Sequence, residues 1–233
     1  MARRRLARTA VGLMAALLFL WAAREIYIIC KRSYMVSSTL ASAAWKDKKA
    51  AMDRHSDTAT IIFLGNSLTE WFDLSVFGKK NILNFGIAGD FSAGVLQRLD
   101  PVIRLRPSKV FIEIGINDIV QHISVAEIAG NYRSIISQIR EGSPATRLFV
   151  QSNLPVSFER GWINTPDHVN EQVVLLNREL EKICAETGCT YIDLYSLFEE
   201  KGRLPAAYTY DGVHLNAAGY ALWKSAVEQY VNE

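Results

Sequence analysis

Five short apolar runs separated by longer amphipathic stretches most strongly constrain how this chain can fold: TIIFL at 60–64, NILNF at 81–85, KVFIEI at 109–114, RLFVQS at 147–152 and TYID at 190–193. Their apolar residues run on without regular alternation, the pattern of strands covered on both faces. The stretches between them carry helical spacing, clearest at 124–140, 169–186 and 216–231. Strands that alternate with helices join through right-handed crossovers into an open parallel sheet with helices on either side. The expectation is therefore an α/β fold, a three-layer α/β/α sandwich around a five-stranded parallel sheet, with ligands bound beyond the carboxyl ends of the strands. At 233 residues, 49% hydrophobic and 21% charged, the chain can build one such domain plus an appendage without help from metals or disulfides. No internal repeat interrupts it, so the domain is expected at 57–233.

The appendage is the N-terminus. Arg3, Arg4, Arg5 and Arg8 precede the apolar run TAVGLMAALLFLWAA at 9–23, followed by Arg24-Glu25 and the apolar residues 26–30. This is the layout of an export signal, and cleavage after Ala23 would place the bulky Trp21 at position −3, so retention as an anchor is favoured over a secreted, cleaved form. The run spans only about 22 Å as a helix, short of a hydrocarbon core of about 30 Å. A spanning helix must continue through Arg24 and Glu25 toward Cys30, with Arg24 snorkelling to an interface. The leading arginines keep the N-terminus in the cytoplasm and put the domain outside. The expected layout is a signal-anchor at 1–34, a helical or extended spacer without chemistry at 35–56, and a domain at 57–233 that is active alone. Beyond the four leading arginines, the 26 basic and 24 acidic residues leave no excess that would suit nucleic acid.

Chemistry collects where the strands end. The first run leads into Gly65-Asn66-Ser67-Leu68-Thr69, the second into Gly86-Ile87-Ala88-Gly89-Asp90, and the third into Gly115-Ile116-Asn117-Asp118. Just before the last helix comes Tyr210-Asp211-Gly212-Val213-His214-Leu215-Asn216. These four segments resemble, in order and over nearly the whole domain, the four signature blocks of the SGNH, or GDSL-like, hydrolase family. The resemblance implies a flavodoxin-like fold and a catalytic triad of Ser67, Asp211 and His214. It also implies an oxyanion hole built from the amides of Ser67 and Gly89 and the side chain of Asn117. The first block usually reads Gly-Asp-Ser; here Asn66 stands in the middle, at a position outside the triad.

The residues support the same reading on chemical grounds. A serine hydroxyl needs a neighbouring base to remove its proton. His214 is the best candidate, because Asp211 lies three residues before it in a glycine turn and can hold the imidazole by its Nδ1. His55 falls in the spacer, and His122 and His168 lack a carboxylate three residues before them. Taken singly, each piece has a plainer reading: Asn66-Ser67 as a helix cap, Asn117-Asp118 and Asp211-Gly212 as turns. Their joint appearance at strand and helix boundaries favours a catalytic site.

The expected activity is hydrolysis of carboxylic esters, acetyl esters of carbohydrate above all, with no metal and no organic cofactor. Longer acyl chains, as in a lysophospholipase or thioesterase, form the first alternative, and a non-catalytic binding module the second. The segment 153–168, with Phe158, Trp162 and the polar Glu159, Arg160, Asn164, Asp167 and His168, is placed to cover the pocket. Trp71 and Phe72 serve packing or substrate contact. Asp90 or Ser92 is expected to cap the helix that follows. Cys30, Cys184 and Cys189 have no metal-ligand spacing. With Gly188 at a left-handed C′ position, Cys184 and Cys189 become the C3 and C″ residues that meet in a Schellman motif. A disulfide and a simple contact both remain open for this pair.

Overall fold

The computed structural model describes residues 2–56, 61–157 and 166–233. The chain forms two compact units, Met1–Ser38 and Thr39–Glu233. The N-terminal segment lies in one helix, α1 (Ala2–Ala41), which does continue through Arg24 and Glu25; the two side chains pair at 2.8 Å. Its stretch Leu13–Ala41 is long and apolar enough, by length and composition, to cross a membrane. Leu13, Leu17, Phe19, Trp21 and Ile26 are all exposed on it.

The second unit runs α2 (Ala43–Arg54), β1 (Ile61–Gly65), α3 (Ser67–Glu70), β2 (Ile82–Gly86), α4 (Ser92–Leu96), α5 (Asp100–Leu105), β3 (Lys109–Glu113), α6 (Ile116–Val120) and α7 (Val125–Gly142). It then continues through β4 (Arg147–Gln151), α8 (Pro166–Thr187), β5 (Thr190–Ile192), α9 (Tyr195–Phe198) and α10 (Ala217–Asn232). All strands are parallel, in the order β2-β1-β3-β4-β5. The expected runs thus became the strands, in the sheet order of flavodoxin-like folds. The order in which successive strands are added switches sides of β1, so that the switch point lies between β1 and β3, and this is where ligands bind in such folds.

Period-two alternation sends Phe63, Phe111 and Phe149 to one face of three adjacent strands, where they are register partners and stack with centroids 4.6 Å apart. Trp223, Val227 and Val231 of α10 belong to the same apolar cluster. The alternate residues Ile62, Leu64, Val110, Ile112, Leu148 and Val150 are buried as well, which is why the strand sequences show no polar face. One step further along the first face, the aromatic row gives way to Gly65, Glu113 and Gln151. Gly65 has no room for a side chain: a Cβ there would lie 2.3 Å from the Glu113 carbonyl oxygen and 2.2 Å from Thr69 Oγ1.

Residues 35–56 are more than a spacer. They include α2, which buries Trp45 and Met52 in the compact unit. Arg104 of α5 holds the end of α2, donating 2.8 Å hydrogen bonds to the carbonyls of Asp53 and His55. The apolar surface of Trp45 and Met52, isolated among charged residues, gave too weak a periodicity to reveal this in sequence. The cap expected for α4 is also different. Phe91 occupies the N-cap position and no side chain caps it. The Asp90 carboxylate is instead engaged by Trp45 and Arg98, and the Ser92 hydroxyl donates to Asp118.

The end of α8 has the expected Schellman geometry. Gly188 is left-handed at φ +68°, and the Cys189 N–H donates to the Cys184 carbonyl at 3.1 Å. The two thiols are free and in contact. A hydrogen bond from Cys184 outweighs burial and, with Thr187 and Arg140 assisting, pulls the Cys189 thiol down to about 6.

Candidate active site

The first turn begins as β1 ends. Asn66 leaves the strand with φ −98° and ψ −147°, and its Oδ1 accepts the Leu68 N–H at 2.8 Å, capping α3. The residue after the cap is therefore Ser67, in the first helical position, where the backbone N–H has no intrahelical acceptor. An asparagine oxygen performs this capping without a charge, so the departure from Gly-Asp-Ser leaves the local geometry supported.

The second participant is built from a tight turn before α10. Asp211 Oδ1 accepts the backbone N–H groups of Val213 at 3.0 Å and His214 at 2.8 Å. Gly212 bends the chain at φ +91°; a Cβ there would fall 2.0 Å from the Ser157 carbonyl oxygen, whose own amide donates to the Gly212 carbonyl. The Thr209 hydroxyl closes the turn, donating to the His214 carbonyl at 2.8 Å and accepting the Gly212 N–H at 2.8 Å. With the backbone so fixed, Asp211 Oδ2 lies 2.7 Å from His214 Nδ1, and His214 Nε2 lies 3.0 Å from Ser67 Oγ. A carboxylate can only accept, so Nδ1 carries the proton and Nε2 is free to accept from the serine. Burial tends to raise the Asp211 pKa, but hydrogen bonds from the His214 side chain and the His214 and Val213 amides outweigh it and hold the carboxyl below its ordinary value. The Trp71 ring covers the imidazole, with centroids 4.3 Å apart.

The turns after β2 and β3 flank Ser67, because Gly65, Gly86 and Glu113 are register partners across β2, β1 and β3. Gly89 is left-handed at φ +76° and exposed, and its N–H donates to no described residue. Asn117, in the first turn of α6, donates one Nδ2 hydrogen to the Asp90 carbonyl at 2.9 Å, which orients the amide and leaves its second hydrogen available. The residues singled out in sequence, Ser67, Gly89, Asn117, Asp211 and His214, thus come to one edge of the sheet, with Ser67, His214 and Asp211 in one hydrogen-bonded chain. Phe158 and Trp162, expected over the pocket, lie outside the described residues. His168 pairs with Glu171 at 3.6 Å on α8 and His55 lies at the end of α2, so neither joins the chain.

Buried charges beneath the site escaped the sequence reading. Asp90 and Arg98, both with fully buried side chains, pair at 2.8 Å, and Arg98 also donates to the carbonyls of Phe85 and Gly65. Asp118 accepts both the backbone N–H and the hydroxyl of Ser92; desolvation still pushes its carboxyl up to about 7. Glu113 is fully buried, neither carboxyl oxygen meets a donor among the described residues, and desolvation pushes it up to about 8. An acid inside an otherwise apolar strand run was the available signal for Glu113. Among the described residues no group of histidine, cysteine and carboxylate side chains is arranged to hold a metal ion.

Known proteins place this architecture. The chain is 25% identical over 175 residues to the N-acylneuraminate cytidylyltransferase of Streptococcus agalactiae, covering 75% of this chain but only 39% of that protein. It is 29% identical to the platelet-activating factor acetylhydrolase IB subunit alpha1 of Pongo abelii over 69% of this chain and 70% of that one. A GDSL-like lipase from Bacteroides thetaiotaomicron superposes with a TM-score of 0.71 at 23% identity, covering 81% of this chain and 97% of its own. An acetyl-xylooligosaccharide esterase from Geobacillus superposes with a TM-score of 0.61 at 19% identity, over 76% and 97% of the two chains. These two structures share the fold. The family model for GDSL-like lipases and acylhydrolases matches residues 63–222, from the middle of β1 into α10 and across all four turns, and the chain accordingly belongs to the GDSL-like lipase/acylhydrolase family of ester hydrolases.

Proposed function

We propose that this chain is a serine esterase that removes acetyl groups from polyhydroxylated substrates, held at a membrane by α1 with its catalytic unit outside the cytoplasm. The observation that carries the chemistry is the chain Ser67 Oγ, His214 and Asp211, linked at 3.0 and 2.7 Å. His214 Nε2 takes the serine proton as Oγ bonds to the ester carbonyl carbon. The tetrahedral oxyanion is met by the amides of Ser67 and Gly89 and by the free amide hydrogen of Asn117, each worth roughly 3 to 4 kcal/mol by analogy with an oxyanion-hole donor in a serine protease. The intermediate collapses, the C–O bond to the alcohol breaks, and the proton on Nε2 passes to the leaving oxygen. Water, deprotonated by the same imidazole, attacks the acyl-serine, releasing the acid and restoring Ser67. Asp211 remains ionised throughout and stabilises the imidazolium.

Substrate size is a narrower claim. Trp71 and Tyr210 are exposed beside the His214 turn, giving flat faces for a sugar ring. The named activities of the acetylhydrolase and the acetyl-xylooligosaccharide esterase also favour a two-carbon acyl group. A long acyl chain would require an extended apolar groove, gaining about 0.8 kcal/mol per buried methylene. Measuring kcat/KM for acetyl, butyryl, octanoyl and palmitoyl esters of one leaving group should give the highest value for acetyl. A steady rise with chain length would replace this reading with a lipase-like one suited to membrane lipids.

A further inference from the structure

The loop that presents the Gly89 amide is held from one side by the helix that precedes the family-matched region. Two side chains of α2 reach it. Trp45, almost fully buried, donates its indole Nε1–H to Asp90 Oδ1 at 3.0 Å. Lys48, one turn of helix later, pairs with Glu70 Oε1, and Glu70 Oε2 accepts the backbone N–H of Ala88. Gly89 lies between the two residues so held, Ala88 and Asp90.

The same contacts reach a second oxyanion donor, Asn117. Asp90 is a junction: Oδ1 accepts Trp45 and the Phe91 N–H at 3.0 Å, Oδ2 accepts Arg98 Nε at 2.8 Å, and its carbonyl accepts Asn117 Nδ2 at 2.9 Å. Turning the Asp90 carboxylate therefore moves the peptide that aims Gly89 and the carbonyl that orients Asn117. Arg98 locks one carboxylate oxygen to the sheet through Phe85 and Gly65, and also approaches Met52 Sδ of α2 at 3.7 Å. The indole fixes the other oxygen. Oxyanion stabilisation depends on donors fixed before charge develops, and small misplacements of such groups are costly in rate.

We propose that Trp45 and Lys48 are positioning residues for the oxyanion hole, so that α2 is a working part of the active site and the smallest fully active unit begins before residue 43. The inference rests on the esterase reading above. Neither side chain touches the reacting atoms, and both act through Asp90 and Glu70 on Gly89 and Asn117. Their loss should therefore lower kcat with little change in KM, since substrate binding does not need the oxyanion donors at full strength.

The test compares full-length chains in detergent micelles. Trp45→Phe keeps the ring packing and deletes the N–H; Lys48→Met frees Glu70 at a partly exposed position where misfolding is no concern. Each should lower kcat on an acetyl ester about fivefold to tenfold, the rate equivalent of one lost hydrogen bond, with KM changed less than about twofold. The pair together should multiply toward about fiftyfold, and Lys48→Arg should restore the rate. Wild-type activity serves as the control: no turnover by the wild type overturns the esterase reading itself. Full kcat in both single variants, or a loss confined to KM, overturns the positioning role while leaving the esterase reading intact.

Discussion

Ser67→Ala is expected to lower ester hydrolysis by on the order of 10⁴ to 10⁶ and to leave the fold in place. The substitution deletes one oxygen, the only atom that would carry the acyl group, and leaves His214 held by Asp211 at 2.7 Å. The oxyanion donors stay where they are, so a residual rate above background is expected from them alone. Structurally the loss is one partly buried hydrogen bond of 3.0 Å between Oγ and His214 Nε2. That is worth about 1 kcal/mol, equivalent to a change in Tm of roughly 2 to 4 °C for a unit of this size. Steady-state kinetics together with thermal unfolding separate the two effects. Hydrolysis at the wild-type rate in the alanine variant would remove Ser67 from the chemistry altogether.

Glu113→Gln is expected to change the pH dependence of stability more than any other single substitution at the sheet. Glu113 is fully buried next to Gly65 in the register, and burial lifts its carboxyl from the usual 4.5 to about 8. Tyr132 of α7 and Tyr220 of α10, which feel the Glu113 charge, have phenols pushed up by burial and stay neutral over this range. A carboxyl raised in the folded state binds its proton more tightly there than in the unfolded chain, so stability falls as pH rises from about 4.5 to about 8 and then levels. Between pH 5 and 9 the wild type should lose on the order of 4 kcal/mol that the glutamine variant does not. This is a difference of roughly 10 °C in the pH-induced change in Tm. Comparing the two profiles, rather than their absolute values, cancels the cost of burying a new amide. Parallel profiles from pH 5 to 9 would show that Glu113 does not titrate in this range.

The positions of the strands and the residues that gather at the end of the sheet were legible in sequence for different reasons. Strands buried on both faces announce themselves as apolar runs, and the polar residues that end them stand out: Ser67, Gly89, Asn117, Asp211 and His214 are conspicuous because each interrupts a hydrophobic or helical pattern. The 6→1 turn at Cys184 and Cys189 was equally readable, since a glycine after an amphipathic helix fixes the residues on either side. What stayed hidden was long-range pairing between groups that are individually ordinary. Trp45 sits among charged and small residues, and only the fold brings its indole 45 positions along the chain to Asp90. Asp90 and Ser92 looked like helix caps because local rules favour that role, but tertiary partners claimed both. Arg98 gave no signal either, as an arginine in an amphipathic stretch normally faces water, and its burial follows from three acceptors supplied by separate elements.

The central claim, that Ser67 is the nucleophile activated by His214, is tested most directly by covalent trapping. A fluorophosphonate captures an activated serine by forming a phosphorus–oxygen bond and releasing fluoride, and the modified residue is then located by peptide mass spectrometry. The full-length chain should lose its esterase activity in step with a single phosphonyl group on Ser67, and His214→Ala should abolish the labelling without removing Ser67. Stoichiometric modification of any other residue, or complete inactivation with Ser67 unmodified, would contradict the assignment.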